Sequence, residues 1–127
     1  MGRDIPDGTM ALTDDGKLQV DWVKVKSGPF FDRLGDFARD VAGTMEAKFR
    51  RNPTWYLGRL ITVHPLGGCP MGRTRNEGVV DPYGEVFGYP GFTIADGSVM
   101  PGPVGPNPSL TIAALADRFA DRATGEA

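Results

Sequence analysis

The residues best suited to chemistry lie in one short segment of this chain, HPLGGCPMG, which runs from His64 to Gly72. His64 and Cys69 are the only histidine and the only cysteine among the 127 residues. An imidazole has an ordinary pKa of about 6.5, so His64 could accept a proton near neutral pH. Zinc sites need three or four protein ligands, and no second histidine or cysteine supplies them. The segment favours acid–base chemistry over metal binding, and the alternative is a histidine hydrogen-bonded within a tight turn.

The other residues of this segment suit a tight loop. A free cysteine is usually a small buried side chain, and we expect this of Cys69. Gly67, Gly68 and Gly72 stand where a backbone turns sharply or passes close to another group. The loop therefore needs its glycines whether or not His64 is catalytic.

Two further motifs hold candidate functional residues. Asn107 precedes Pro108, which is typical of a helix start, because asparagine accepts a backbone N–H at the N-cap and proline fits the first helical position. Asp96 and Gly97 form an Asp-Gly pair, which by itself predicts only a turn. Neither motif identifies a function without its context.

Composition and charge exclude several classes of partner. The net charge is −2, from 14 basic and 16 acidic residues. Because these charges form no blocks, we expect no nucleic-acid or anionic-lipid partner. One cysteine cannot form an internal disulfide, and no run approaches the roughly 18 apolar residues of a membrane-spanning helix. The first ten residues lack the features of a signal peptide, so the chain as given is expected to be soluble and cytoplasmic.

Periodicity predicts a hairpin and a helix in the first half of the chain. Two short runs flank Asp14–Asp15–Gly16, and apolar and polar residues alternate over residues 18–22, which predicts a β-hairpin within residues 9–25. The next segment predicts a helix that begins after Ser27 and ends before Pro53. Its apolar stripe has steps of three or four and consists of Phe30, Leu34, Phe37, Val41, Met45 and Phe49.

The second half combines glycine- and proline-rich turns with a strand and a helix. Residues 91–95 read as a short buried strand, which Asp96–Gly97 ends. A final helix follows Asn107–Pro108. Its residues at helical spacing are Leu110, Ala114, Leu115 and Phe119.

Three ordered motifs resemble the C-terminal portion of the glucose-methanol-choline oxidoreductases, and most of all their cholesterol oxidase branch. The motifs are MGRDIPDG (residues 1–8), TVHPLGGCPMG (residues 62–72) and VVDPYGEVFGYPGFTIADGSVMPGPVGPNPSLTIAALADR (residues 79–118). The resemblance implies an α/β (mixed α+β) fragment. Residues 1–63 would belong to the substrate-binding domain, as the last pieces of its sheet. Residues 64–127 would hold the final strand and helix of the FAD-binding domain.

The resemblance also implies roles for individual residues. His64 and Asn107 would lie at the oxygen of a hydrophobic alcohol such as a sterol, while hydride passes to flavin N5 of FAD. Asn107 would then have two competing tasks, capping its helix and contacting the substrate oxygen. The residues implied to bind the cofactor are Asp96, Gly97, Asn107, Pro108 and Ser109, and no metal is implied.

Two classes of function stay open at this point. In the first, the chain is the C-terminal part of an FAD-dependent alcohol oxidase or dehydrogenase, and its partner is the N-terminal FAD-binding half. No G-x-G-x-x-G spacing occurs in the sequence, so that half would have to hold the FAD pyrophosphate. In the second, the chain is a noncatalytic remnant or interaction module, for which Pro103–Pro106 offers a weak PxxP motif.

Overall fold

A computed structural model describes residues 3–126; residues 1, 2 and 127 lie outside the described part. The chain forms two compact units, Asp7–Val63 in one, and residues 3–6 with 64–126 in the other. Helices and a two-stranded sheet confirm the mixed α and β fold class. The assignment of residues 1–63 and 64–127 to substrate-binding and FAD-binding domains stays a prediction.

The hairpin predicted near the N-terminus is confirmed. Strands β1 (Thr9–Leu12) and β2 (Leu18–Asp21) pair antiparallel. Gly16 takes a φ of 75° in the turn, a left-handed conformation that favours glycine. The register pairs apolar residues across the strands, so that one face of the hairpin consists of Met10, Leu12, Leu18 and Val20, all of them exposed.

Helix α1 (Gly28–Thr44) begins as expected and ends earlier than expected. Ser27 holds the N-cap position and Pro29 lies in the first turn. The expectation that the helix continues to Pro53 is wrong, so Met45 and Phe49 lie beyond its last turn.

A Schellman motif explains this early end. The Glu46 amide donates to the Gly43 carbonyl over 3.1 Å, and the Ala47 amide donates to the Ala42 carbonyl over 2.8 Å. Glu46 has a φ of 53°, in the left-handed region where such motifs usually have glycine. The helix end is therefore set by local hydrogen bonds, but the sequence does not predict it, because Glu46 occupies the position where glycine is usual.

The rest of the N-terminal unit packs around a tryptophan. Helix α2 (Pro53–Tyr56) is capped by Asn52, whose Oδ1 accepts the Thr54 amide over 3.0 Å. This short helix places the Trp55 ring edge-on to Phe31, with 5.8 Å between the ring centroids. Two cations stack on the same ring, Lys24 and Arg51.

The core of the C-terminal unit forms where helix α3 (Ser109–Thr124) crosses two loop segments. Phe119 of the helix is fully buried against Val80 and Val99. Gly84 lies beside them with a φ of 81°, and a Cβ there would come within 2.7 Å of the Phe119 ring. This core fixes the helix against the loops that carry the candidate site. None of the helices within residues 3–126 has the length and apolar character needed to cross a membrane.

The strand predicted over residues 91–95 does not form. The segment makes a single antiparallel bridge, Glu85 to Thr93, flanked by one hydrogen bond on each side. Gly84 and Gly91 have φ values of 81° and 80°, which turn the backbone at both ends and limit the pairing to that bridge. Ile94 packs against the core, whereas Phe92 is exposed, so the segment is not buried as a whole.

Candidate active site

The loop that follows His64 is hydrogen-bonded to the segment just after Asp96. The Cys69 amide donates to the Ser98 carbonyl over 2.9 Å, and the Met71 amide donates to the Val99 carbonyl over 2.8 Å. Because Val99 belongs to the fully buried core, these bonds tie the loop to that core.

Glycines in this loop serve close backbone approach, as expected. Gly67 has a φ of 79°, and a Cβ there would lie 3.3 Å from the Met100 carbonyl oxygen. A Cβ on Gly72 would lie 2.5 Å from the backbone nitrogen of Gly78, so no side chain fits. The backbone of the loop therefore packs closely against Met100 and Gly78. This packing explains the glycines and says nothing about the role of His64.

Cys69 is a half-buried free thiol. Across residues 3–126, no group of three or more His, Cys, Asp or Glu side chains is arranged to hold a metal ion. The donor set of this region is instead an imidazole, an amide and a hydroxyl.

Asn107 caps the last helix through its side-chain oxygen. Its Oδ1 accepts the Ser109 backbone amide over 3.0 Å and the Ser109 hydroxyl over 2.7 Å. Pro108 is buried with helical backbone angles, and its carbonyl accepts the Ile112 amide over 2.8 Å. The helix starts one residue later than predicted, with Pro108 and not Asn107 at the N-cap position, and the Asn107 side chain adds a capping bond to the first helical amide.

The two expected tasks of Asn107 do not compete for the same atom. Capping uses only Oδ1, and the Nδ2 amide group donates to no other residue within the described part of the chain. An asparagine amide carries two N–H donors, which remain available to an external acceptor.

His64 lies against the start of the same helix. Its Nε2 is 3.4 Å from the Ser109 hydroxyl oxygen. Its Nδ1 is buried and has no hydrogen-bond partner among residues 3–126. Ser109 thus connects His64 to Asn107, the two residues expected to act together.

Asp96 and Gly97 have local structural roles beside this cluster. Asp96 is exposed, and its Oδ1 accepts the Ser98 amide over 2.8 Å. Hydrogen bonds from Ser98, first from its side chain and then from its backbone, hold the pKa of the Asp96 carboxyl below its ordinary value. A Cβ on Gly97 would lie 2.9 Å from the end of the Leu66 side chain and 3.1 Å from the end of the Ile112 side chain, so Gly97 packs closely within this unit.

FAD is the cofactor that the resemblance implies for this site. A free amide on Asn107, an unpartnered Nδ1 on His64 and the start of α3 provide hydrogen-bonding groups and a partial positive charge. These features fit the flavin end of FAD, where negative charge develops on reduction. The sequence contains no G-x-G-x-x-G turn to hold the pyrophosphate.

Sequence reading missed the part that the Ser109 side chain plays. Ser109 was expected near the cofactor through its position at the helix start, but its hydroxyl also bridges two other side chains. A serine two residues after a capping asparagine is a local signal for the first of these bonds. No local signal identifies the second, because His64 is 45 positions away.

Comparison with known proteins shows which family this chain is similar to. A family model described as GMC oxidoreductase matches residues 25–116. A cholesterol oxidase of Mycobacterium tuberculosis is 36% identical over 119 residues, which cover 86% of this chain and 20% of that protein. A cholesterol oxidase of Acinetobacter baumannii is 46% identical over 57 residues, 45% of this chain and 10% of that protein.

A long-chain-alcohol oxidase of Arabidopsis thaliana is 39% identical over 61 residues, 48% of this chain and 8% of that protein. The chain spans 20% of the length of the Mycobacterium relative. The matched family segment includes His64 and Asn107 and covers well over half of the chain. The chain therefore belongs to the GMC oxidoreductase family.

Proposed function

We propose that this chain is the C-terminal part of an FAD-dependent alcohol oxidoreductase in which His64 and Asn107 lie at the substrate oxygen. The observation that carries the proposal is the hydrogen-bonded series from the His64 imidazole through the Ser109 hydroxyl to the Asn107 amide. It joins a group able to accept a proton to a group with free N–H donors, which oxidation of an alcohol requires.

The chemistry divides between the cofactor and this cluster. Bound FAD would supply the acceptor for the hydride that leaves the carbinol carbon. His64 accepts the hydroxyl proton, so the alcohol loses one proton and one hydride and becomes a carbonyl compound. The Asn107 Nδ2 group donates to the substrate oxygen while its Oδ1 keeps the helix start in place.

The proposed flavin contacts come from the start of α3 and the turn at Asp96. Asn107, Pro108 and Ser109 would present the positive end of the helix to the flavin. Asp96 and Gly97 would lie on the ribityl and phosphate side. The N-terminal FAD-binding half is the required partner, because a pyrophosphate-binding turn is missing from this sequence.

The proposed substrate class is a hydrophobic alcohol such as a sterol. The support comes from relatives whose names are cholesterol oxidase and long-chain-alcohol oxidase. Within this chain, the donors of the cluster recognise a hydroxyl oxygen and do not distinguish one alcohol from another.

A fusion that supplies the FAD-binding half of a related enzyme tests the proposal. We expect His64→Gln to keep flavin binding and to slow flavin reduction by roughly 10² to 10⁴-fold, the usual effect of positioned acid–base catalysis. Asp117→Asn, at an exposed position of the same helix, is the matched control and should reduce flavin at the unmodified rate.

Stopped-flow absorbance of the flavin under anaerobic conditions, with cholesterol and a long-chain alcohol as substrates, measures the rate. Equal reduction rates in His64→Gln and in the unmodified fusion would remove His64 from the proposed site. A fusion that binds FAD and reduces it with neither alcohol would favour the noncatalytic alternative.

A further inference from the structure

The bridge between His64 and Asn107 depends on a single proton, that of the Ser109 hydroxyl. A serine hydroxyl has one O–H donor and two acceptor lone pairs. The Asn107 Oδ1 has no proton, so the 2.7 Å contact between the two oxygens requires that Ser109 donates to Asn107. The Ser109 oxygen then has no proton left to give to His64.

This leaves one way to make the contact between Ser109 and His64. The imidazole has to be the donor, with its proton on Nε2, and the Ser109 oxygen accepts it. In a neutral imidazole only one ring nitrogen carries a proton, so Nδ1 then holds a lone pair.

The environment of Nδ1 favours the same form independently. Nδ1 is buried and lacks a hydrogen-bond partner in the described part of the chain. A buried N–H without an acceptor is rarer in proteins than an unsatisfied acceptor, so a bare Nδ1 is the less costly state. Both nitrogens of His64 therefore favour the Nε2–H tautomer.

We infer that Ser109 is a positioning residue that holds His64 in the Nε2–H tautomer, with Asn107 fixing the direction of the Ser109 hydroxyl. The consequence for the proposed function is one of orientation: the bond from Nε2 to Ser109 fixes the imidazole ring against the start of α3. The tautomer itself is a property of the chain without flavin or substrate.

Because His64 is the only histidine, the tautomer can be measured directly in the full chain. We would label histidine with ¹⁵N and record long-range ¹H–¹⁵N correlation spectra about two pH units above the ordinary imidazole pKa of about 6.5. The ¹⁵N shifts of Nδ1 and Nε2 give the ratio of the two tautomers, with N-acetylhistidine amide as the reference.

We expect Ser109→Ala to lower the ratio of Nε2–H to Nδ1–H by roughly 2- to 10-fold, the effect of one hydrogen bond on an equilibrium. Ser109→Thr keeps a hydroxyl at this position and should restore the ratio of the unmodified chain. A ratio in Ser109→Ala that equals that of the unmodified chain would overturn the inference.

Asn107→Ala gives a second test that does not remove the serine. Without the Asn107 oxygen, the Ser109 proton is free to be donated to Nε2, and the Nδ1–H form should increase. Circular dichroism of each variant verifies the helices, and an unchanged ratio in a folded Asn107→Ala chain would contradict the proposed order of donors. The tautomer ratio is measured without flavin. The inference about Ser109 and the proposed enzymatic function can therefore fail independently of each other.

Discussion

The hydroxyl of Ser109 lies 3.4 Å from Nε2 of His64, although 45 positions separate these residues in the chain. Two supports make this proximity possible. The loop after His64 is hydrogen-bonded to residues 98 and 99, and the helix that begins at Ser109 is anchored by the buried Phe119. The start of this helix therefore controls the surroundings of the histidine, and perturbing either support should affect both.

Substitutions of Asn107 separate its two roles. In the restored fusion, Asn107→Ser should leave the melting temperature nearly unchanged, because a serine side chain also caps helices. It should slow flavin reduction, because a hydroxyl does not reproduce the two N–H donors of the amide. Asn107→Ala should lower the free energy of unfolding by about 1 kcal/mol through loss of the cap.

Thermal melts measure the stability of each Asn107 variant, and stopped-flow absorbance measures its rate of flavin reduction. If Asn107→Ser reduces flavin at the unmodified rate, the amide has no role at the substrate oxygen and Asn107 is only a cap.

The isolated chain should bind FAD weakly or not at all. In our proposal its residues contact the flavin and the ribityl side of the cofactor, and the sequence has no G-x-G-x-x-G turn before a helix to hold the pyrophosphate. Titration of FAD fluorescence with the purified chain measures the affinity. A yellow protein after desalting, with micromolar or tighter binding, would show that the C-terminal part holds FAD by itself.

The apolar face of the hairpin should cause the isolated chain to self-associate. Leu12 and Leu18 are paired across the strands, and 75% and 65% of their surfaces are exposed. Exposed apolar faces on sheet edges promote association. Leu18→Lys should therefore shift the chain toward the monomer in size-exclusion chromatography with light scattering.

Gln19→Lys is the matched control for charge, because Gln19 lies on the opposite face of the same strand. It should leave association unchanged. A monodisperse monomer of the unmodified chain, with a cooperative thermal transition, would contradict the prediction.

Glu46→Gly should stabilise the chain. Glu46 has a φ of 53° at the end of α1, and a non-glycine residue in this region costs about 1 kcal/mol or more. Glycine adopts it without that cost, so the free energy of unfolding should rise by about 0.5–1 kcal/mol. Urea titration followed by circular dichroism measures the change.

The control is the reverse kind of substitution, from glycine to another residue, at the C-terminal end of α3. Gly125 has a φ of 78° after α3, so Gly125→Ala should destabilise the chain. If Gly125→Ala lowers the free energy of unfolding and Glu46→Gly does not raise it, Glu46 makes an interaction that compensates for its backbone strain.

Asp96 should make a small contribution to the loss of folding stability at low pH. Hydrogen bonds from Ser98 lower the pKa of its carboxyl below the ordinary value of 3.8. A group with a lowered pKa stabilises the fold above its unfolded-state pKa, and this stabilisation disappears as pH falls through the folded-state value. Asp96→Asn removes the titration and should flatten the decrease in stability below about pH 4.

Urea titrations between pH 6 and pH 2.5 compare the two chains. Parallel curves for the unmodified chain and Asp96→Asn would exclude a role for Asp96 in acid unfolding.

Features set by near neighbours were predictable from the sequence. The hairpin follows from alternating apolar residues around an Asp-Gly turn, and the start of α3 follows from Asn107–Pro108. Each depends on hydrogen bonds between residues a few positions apart, which local backbone preferences determine. The end of α1 is equally local, but it was missed because Glu46 occupies a position where glycine is the usual signal.

The sequence by itself determined the family, the hairpin, the two long helices and the identities of His64 and Asn107 as candidate residues. Only the tertiary structure decided that residues 91–95 make one bridge, that Gly97 packs against Leu66 and Ile112, and that Ser109 joins the histidine to the asparagine. The physical reason is the separation along the chain. A contact across 45 positions depends on how loops and a helix pack on a shared core, and no short stretch of sequence contains that information.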